Sequence, residues 1–416
     1  MGHTRVAVTG MGVITPIACH VEPFAEGIFQ GKVGTGPITG FDTSPYSVKN
    51  GGEVKGYNPE QAFKHLPPER FDRTTQFAVG ATRMALEHAN IDANELPATR
   101  TGVAIGTTMG NQQTIEKRHD TRLAQGGDTA HVTYDQNYHY YPAQTITATV
   151  AAENDFRGPN MVIPTACAAG NYAIGYASDQ IKLGKADYML CGGADALSRA
   201  CFTMFARLGA ISPDWCRPFD QHRKGMMVAE GAAVLLLERY DLAVQRGATI
   251  YAEIAGYANS CDAHHITSPH PEGYGAVIAM NKALENSGLN ATDIDYISAH
   301  GTGTKANDTT EFKGLQKVFQ HHVHEIPVSS IKSLMGHTMG AAGAIEAVAS
   351  VLAIHESKLP VNQNLETLDP EINLNVVNRP TDRAVDFVLS NSFAFGGNIS
   401  SLILKKPCVG SKEEAS

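Results

Sequence analysis

The sequence of 416 residues lacks the cysteine pattern of a disulfide-rich or zinc-ribbon protein. No two of its seven cysteines form a CxxC pair, and their number is odd. These features argue against a disulfide framework, and the spacing excludes a zinc ribbon. The cysteines lie at positions 19, 167, 191, 201, 216, 261 and 408.

Long apolar runs and a basic excess are also missing. No apolar stretch is expected to reach the roughly 18 residues of a membrane span, and the first residues do not resemble a secretory signal. The formal net charge of −9 argues against a general nucleic-acid-binding protein. With 43% hydrophobic and 18% charged residues the chain has the composition of a folded protein. We therefore expect a cytoplasmic protein that binds neither membrane nor nucleic acid.

The glycine-rich motifs that bind nucleotides are absent as well. Gly10-Met11-Gly12 follows a predicted strand, but Thr15 stands where the dinucleotide fingerprint needs its third glycine. No GxxxxGK[ST] motif occurs in the sequence. Neither NAD nor ATP is predicted, and no other cofactor has a motif here.

Short strand-like runs alternate with longer helical patterns, which favours an α/β layered fold. The alternation restarts near residue 251, and the length makes two domains or a duplicated one the expectation. We predict one half at residues 1–250 and a second at 251–416. Strands are predicted at 5–9, 101–105, 188–191, 233–237, 251–254, 294–298, 327–329, 385–390 and 401–404.

Cys167 is the candidate nucleophile. It follows a strand-like run at Asn160–Ile163 and precedes apolar residues at helical spacing from Ala169 to Ile181. A thiol at a helix N-terminus favours the thiolate, which is the reactive form. A buried structural cysteine is the alternative. We interpret five of the other six cysteines as buried structural residues, whereas Cys408 lies in a polar tail.

Two histidines lie in glycine-flanked loops that follow predicted strands. His300 belongs to the run SAHGTGT, and His337 to SSIKSLMGHTMG, which leads into an alanine-rich helix. Either histidine alone is more often structural than catalytic. A cysteine with two histidines on three separate strand ends is typical of nucleophilic catalysis.

A metal site is the alternative use of histidine. His264-His265 and the run from His321 to His324 contain adjacent histidines, whose side chains diverge on a loop. No HExxH motif or matching acidic residue accompanies them. No metal site is predicted.

Five motifs in order resemble the β-ketoacyl-acyl carrier protein synthases, along essentially the whole chain. The similarity is greatest to the elongating type II synthases and to the ketosynthases of type II polyketide and polyene systems. The motifs are VAVTGMGVITP at 6–16, PTACAAG at 164–170, HGTGT at 300–304, KSLMGHTMGAAGAIE at 332–346 and NSFAFGGN at 391–398. The resemblance implies a thiolase fold of two similar βαβαβαββ halves in five αβαβα layers. It also implies a dimer and substrates carried on the phosphopantetheine of an acyl carrier protein.

The resemblance also implies a role for each site residue. Cys167 would carry the acyl group, and His300 and His337 would bind the malonyl thioester and promote loss of carbon dioxide. Lys332 would lie near both histidines. The other implied roles are an oxyanion hole from the backbone N–H groups of Cys167 and Phe395, pantetheine binding by Thr302 and Thr304, gating of the acyl pocket by Phe395, a pocket floor at Met109, and bracing by Glu311 and Glu346.

The acidic carrier protein would need a basic rim despite the negative net charge. Arg70, Arg73 and Arg207 are the candidates, and Arg70 and Arg207 lie near positions that serve this role in relatives. Solvated surface charge is the alternative for each of them.

Several positions depart from the family pattern. Ala394 replaces the glycine before the gating phenylalanine, and a methyl there is expected to stiffen the loop wherever φ is positive. Asn398, the run from Lys224 to Met227, and Asn171-Tyr172 differ too. We expect most of these changes near the acyl channel, which slightly favours a polyketide or polyene pathway over housekeeping fatty-acid elongation.

Related activities remain as alternatives. A degradative thiolase needs a second catalytic cysteine, and an initiating synthase needs asparagine where His337 stands. A non-enzymatic scaffold is the third. The inactive chain-length factor of polyketide systems lacks the nucleophile, so this chain is not predicted to be one. Its partner is expected to be a second copy or such a homologue.

Overall fold

The computed structural model describes residues 4–126 and 139–408. The helices in these ranges are Val21–Gln30 (α1), Arg73–His88 (α2), Gln112–Ala124 (α3), Gln144–Asn154 (α4), Ala169–Lys182 (α5), Arg199–Arg207 (α6), Tyr240–Gln245 (α7), Tyr274–Ser287 (α8), Lys305–Phe319 (α9), Lys332–Met335 (α10) and Ala342–Glu356 (α11). The strands are Val6–Ile14 (β1), Gly36–Pro37 (β2), Asn50–Gly51 (β3), Thr101–Gly106 (β4), Asn160–Ile163 (β5), Tyr188–Asp195 (β6), Gly231–Arg239 (β7), Ala252–Cys261 (β8), Tyr296–Ser298 (β9), Pro327–Ser329 (β10), Lys358–Leu359 (β11), Asn375–Val376 (β12), Thr381–Asp382 (β13), Phe387–Phe393 (β14) and Asn398–Lys405 (β15).

In the described ranges, the large sheet of eleven strands contains the same five-stranded unit twice, and β12 adds one more strand beside β10 at the edge of the second unit. Its order is β12-β10-β9-β14-β15-β8-β1-β7-β6-β4-β5, and the two units meet where β1 pairs with β8. When the strands of each unit are numbered along the chain, both units have the order 3-2-4-5-1. In both, strands 2, 3 and 4 are parallel and strand 5 is antiparallel to its neighbours.

Helices cover both faces of each unit and fill the space between them. α5 packs on β4 and β6, and α11 packs on both β7 and β14, so these two helices lie between the units. α2 and α4 cover the outer face of the first unit, and α8 packs against β8 and β15 of the second. The predicted thiolase fold of two similar halves in five layers is confirmed. The division at residues 1–250 and 251–416 stays a prediction.

The central helix α11 is largely apolar around its circumference because a sheet lies on each side of it. Every residue from Ala342 to Ile354 is buried. The segment Met339–Glu356 is long and apolar enough to cross a membrane by length and composition, and 89% of it is buried inside the protein. The expectation that no such stretch exists was therefore wrong. The position of this segment in the protein core explains its apolar composition.

Two strands are longer than predicted. The prediction ended each of them at a glycine, but in the structure the strand continues through it. β1 continues through Gly10 and Gly12 to Ile14, and β6 continues through Gly193 to Asp195. A Cβ on Gly12 would lie 1.9 Å from the carbonyl oxygen of Ala81 in α2. These glycines allow close approach of neighbouring backbone within a strand.

Candidate active site

Cys167 lies in a sharp turn between a strand and a helix. The turn is a single 3-10 turn, Ala166–Ala168, between β5 and α5, and the cysteine is 7% exposed. Ala166 has a φ of +48°, in the left-handed region that costs a non-glycine residue free energy. The strained turn places Cys167 in the wall of a cleft.

His300 and His337 line the same cleft as Cys167. His300 follows β9 by two residues, and His337 follows α10 by two. The two rings have centroids 5.3 Å apart and planes at 84°. The backbone N–H of His337 donates to the carbonyl oxygen of Met227 at 2.6 Å. The structure thus brings together the three side chains that the sequence singled out.

Lys332 connects the two histidine loops. Its Nζ donates to the backbone carbonyl of His300 at 2.6 Å and lies 3.4 Å from the Nδ1 atom of that residue. Its third partner is the carboxylate of Glu346 on α11. Lysine and glutamate are both fully enclosed, with 2% of each side chain exposed.

Glu311 holds the loop of His300 from the other side. Its two carboxylate oxygens accept hydrogen bonds from the backbone N–H groups of His300 and Gly301, each at 2.8 Å. Burial raises the pKa of Glu311 to about 7, against the effect of these two donors. Burial also raises the pKa of Glu346 to about 7, while the charge of Lys332 opposes the shift.

Both histidines are neutral at neutral pH. Burial lowers the pKa of His300 and of His337 well below the ordinary value, and the positive charge of Lys332 lowers both further. A neutral imidazole has one N–H donor and one acceptor nitrogen. The pair can therefore donate hydrogen bonds to an oxygen that becomes negative.

Burial favours the thiol form of Cys167 over the thiolate, which corrects one expectation. Burial raises the pKa of Cys167 to about 12, and the nearby charge of Lys332 opposes this only in part. The helix N-terminus was expected to favour the thiolate. Here the enclosure of the sulfur outweighs it, because a buried thiolate has lost its hydration.

The HGTGT run forms the polar wall of the cleft. Thr302 and Thr304 both line it, and their hydroxyl oxygens lie 2.9 Å apart. Gly301 and Gly303 have φ values of +33° and +77°, which favour glycine. The carboxylate of Asp308 accepts the backbone N–H of Gly303 at 3.2 Å and so holds the loop.

Phe395 lies in the turn after β14 and lines the cleft. Its ring centroid is 5.7 Å from that of Phe205, and Met109 packs into the same apolar cluster. Ala394 has a φ of −137°, which is extended backbone. The expectation that its methyl group stiffens the loop applies only to positive φ, which occurs at Gly396 and Gly397 instead.

The three arginines proposed for the basic rim differ in their surroundings. Arg70 and Arg207 are exposed. Arg73 instead binds the buried carboxylate of Glu230 through its Nε and Nη2 atoms and also donates to the carbonyl of Val54. Arg73 is therefore removed from the rim, since its charge is already paired inside the protein.

One buried carboxylate of the site was missed. Asp195 ends β6 and is fully buried beneath the cleft loops. It accepts four hydrogen bonds, from the hydroxyl of Thr107 and the backbone N–H groups of Thr108, Met109 and Gly340. An acidic residue directly after the apolar run YMLCGGA was the available signal. As for metals, the described residues contain no group of three or more His, Cys, Asp or Glu side chains that could hold one.

The duplicated fold and the Cys-His-His cleft define an acyltransferase of the thiolase-fold class. The chain belongs to the β-ketoacyl synthase family. The family model for the N-terminal domain matches residues 3–243, and that for the C-terminal domain matches residues 251–366.

Relatives and solved structures agree with this assignment. The chain is 42% identical to 3-oxoacyl-[acyl-carrier-protein] synthase 2 of Synechocystis sp., over 97% of this chain and 98% of that protein. It is also similar to the ishigamide ketosynthase/chain length factor, with a TM-score of 0.94, 38% identity and coverage of 98% and 100%. The type II polyketide ketosynthase complex AntDE:AntF gives a TM-score of 0.91, 31% identity and the same coverage.

The lowered pKa values of the two histidines predict how their imidazole rings titrate. Because protonation occurs only below the lowered pKa, His300 and His337 should stay neutral as the pH falls through about 6.5. NMR of ¹⁵N-histidine-labelled protein, assigned with the variants His300→Gln and His337→Gln, measures this. Lys332→Met should raise both pKa values because a positive charge is removed. Titration of either ring near 6.5 in the unaltered protein would contradict the assignment.

Proposed function

We propose that this chain catalyses decarboxylative Claisen condensation. An acyl chain bound to Cys167 would be joined to malonyl-acyl carrier protein, giving a β-ketoacyl-acyl carrier protein. The observation that supports this most is the single cleft that holds a buried thiol and two neutral histidines. The name of the Synechocystis relative agrees with it.

The first step would be acyl transfer to the thiol. The Sγ atom of Cys167 attacks the thioester carbonyl of the acyl carrier protein, its proton passes to a neutral imidazole, and the pantetheine thiol leaves with that proton. Backbone N–H groups of Cys167 and Phe395 would bind the oxyanion. Thr302 and Thr304, on the cleft wall, would hydrogen-bond the pantetheine arm.

Decarboxylation and condensation would follow in the same cleft. The N–H groups of His300 and His337 donate to the malonyl thioester oxygen while the bond to the carboxylate breaks and carbon dioxide leaves. The resulting enolate carbon attacks the acyl carbonyl, the bond to Sγ breaks, and the thiolate takes up a proton from solvent. Neutral donors suit this step because the negative charge appears only during it. Lys332 would act as a positioning group, held by Glu346.

Replacing the nucleophile separates the two halves of this reaction. Cys167→Ala should reduce condensation by at least about 10³-fold, because the acyl intermediate cannot form. Decarboxylation of malonyl-acyl carrier protein should persist and should be lost in His300→Ala. Both rates can be followed by mass spectrometry of the carrier protein. Cys191→Ala, at a buried thiol in β6, is the matched control and should keep condensation. Full condensation by Cys167→Ala would refute the proposal.

The acyl chain is proposed to belong to a specialised polyketide or polyene pathway, with housekeeping fatty-acid elongation as the alternative. Similarity to the ishigamide and AntDE ketosynthases supports the former, and the named Synechocystis synthase supports the latter. Of the unusual positions, Met226 and Ala394 line the cleft. Asn171 instead lies in the central layer, with its side-chain oxygen unbonded among the described residues.

A substrate panel decides between the two pathways. Purified protein is offered saturated, polyenoyl and poly-β-keto acyl carrier proteins of equal length, each with malonyl-acyl carrier protein, and kcat/KM is compared. We expect a preference of at least about tenfold for an unsaturated or keto chain, equivalent to about 1.4 kcal/mol in the transition state. A clear preference for saturated chains of medium length would assign the protein to fatty-acid elongation.

The proposed partners are an acyl carrier protein and either a second copy or a chain-length-factor homologue. One similar structure is the ishigamide ketosynthase/chain length factor, and another holds a type II polyketide acyl-carrier protein in complex with its ketosynthase. In this chain β5 is the last strand of the large sheet, and its Met161 is 43% exposed. An unpaired strand edge of this kind can pair with the same edge of a similar subunit.

The carrier protein would dock at a basic rim that includes Arg207. Arg207→Glu should raise the KM for carrier-bound substrate about threefold to tenfold and leave kcat nearly unchanged, because the rim charge acts on encounter. Steady-state kinetics at low ionic strength measures both constants. Arg379→Glu, at an exposed arginine between β12 and β13, is the matched control. An unchanged KM in Arg207→Glu would remove this residue from the rim.

A further inference from the structure

Asp195 connects two loops that come from different halves of the fold. Its Oδ1 atom accepts the hydroxyl of Thr107 at 2.7 Å and the backbone N–H of Met109 at 3.0 Å. Its Oδ2 atom accepts the backbone N–H of Thr108 and that of Gly340, each at 2.7 Å. No basic side chain in the described ranges forms an ion pair with it. A single carboxylate therefore holds the loop after β4 and the turn before α11.

The two loops touch at backbone level, so their spacing depends on this contact. A Cβ on Gly340 would lie 2.6 Å from the carbonyl carbon of Thr107 and 2.6 Å from the nitrogen of Thr108. Met339, the residue before Gly340, has a φ of +53°. Only two residues separate Gly340 from His337, while Met109 packs into the apolar cluster that includes Phe395.

We propose that Asp195 is a positioning residue that fixes the position of His337 relative to Met109. The space available to the acyl chain and the geometry of decarboxylation would then both depend on the hydrogen bonds of Asp195. The inference rests on the proposed condensing function. It adds a residue whose four hydrogen bonds go to neither the thiol nor the histidines. Its hydrogen bonds act on the loops that carry Met109 and His337.

The charge of Asp195 also acts on the nucleophile. Burial raises the pKa of Asp195, but three of its four partners are backbone N–H groups, which can only donate and so favour the ionised carboxylate. The charged groups around Cys167 are Lys332, which lowers its pKa, and Asp195 and Glu346, which raise it. The two histidines there are neutral. Loss of the negative charge at position 195 should therefore lower the pKa of the thiol.

Two substitutions separate charge from position. Asp195→Asn removes the charge and sets an amide N–H₂ against backbone donors, whereas Asp195→Glu keeps the charge and shifts the carboxylate. The pH dependence of the rate at which iodoacetamide alkylates Cys167 measures the pKa of its thiol. Asp195→Asn should move this profile to lower pH, with at least about threefold faster alkylation below the midpoint, since half a pKa unit is about threefold in thiolate. Asp195→Glu should leave the profile in place.

Both variants should change the distribution of product chain lengths, because the loop of Met109 moves in each. The matched control is Glu153→Gln, which alters a buried carboxylate that accepts backbone N–H groups of residues 64–66 outside the cleft. It should lower thermal stability and leave the alkylation profile and product lengths unchanged.

The inference fails if Asp195→Asn matches Glu153→Gln, with lower stability and nothing else changed. If Asp195→Asn does not fold, Thr107→Val removes one of the four donors and should still change the product lengths. Unchanged products in that variant would overturn the inference. Alkylation does not require condensation, so a wild-type protein that fails to condense refutes the proposed function separately.

Discussion

The buried ammonium group of Lys332 is the interaction on which the site depends. A buried charge is stable only when it is paired and its hydrogen bonds are made. Lys332 meets this need with the carboxylate of Glu346 and the carbonyl oxygen of His300. The same charge lowers the pKa of both histidines and opposes the rise in the thiol pKa. One side chain thus holds the loops together and adds to the effect of burial in keeping both imidazoles neutral.

That ion pair requires the central layer of the fold. Glu346 lies on α11, which packs on a sheet on each side and is buried along its length. A carboxylate on such a helix cannot reach water, so it needs an internal cation. Burial raises the pKa of Glu346 to about 7, and Lys332 is the group that opposes the rise. The position of α11 between two sheets therefore accounts both for the apolar composition of this helix and for the buried ion pair of the site.

Local patterns in the sequence were sufficient to predict which three side chains form the candidate site. Cys167 and His300 follow strands closely, and His337 follows β10 after the short helix α10; glycine-flanked segments of this kind can be recognised in a single sequence. The family resemblance added their common cleft. What could not be predicted depends on enclosure. The high thiol pKa of Cys167 comes from burial, and Arg73 pairs inward because Glu230 lies beneath it. Likewise, the strands pass through Gly10 and Gly193 because another backbone approaches there. These are properties of packing between distant segments, and no local pattern contains them.

The duplication explains why thiol and imidazole meet. Cys167 follows strand 3 of the first unit, β5, and His337 follows strand 3 of the second, β10; each precedes a central helix, α5 or α11. The turns correspond in detail, because each is a 3-10 turn whose first residue is a non-glycine residue of positive φ, Ala166 in one and Met339 in the other.

The two central helices also touch closely at their beginnings. A Cβ on Gly170 would lie 2.6 Å from the nitrogen of Ala344. Equivalent turns from the two units therefore face each other across this contact. Cys167 lies in the turn of the first unit, and His337 lies two residues before the corresponding turn of the second. Asp195, at the end of strand 4 in the first unit, lies where it can bind loops of both.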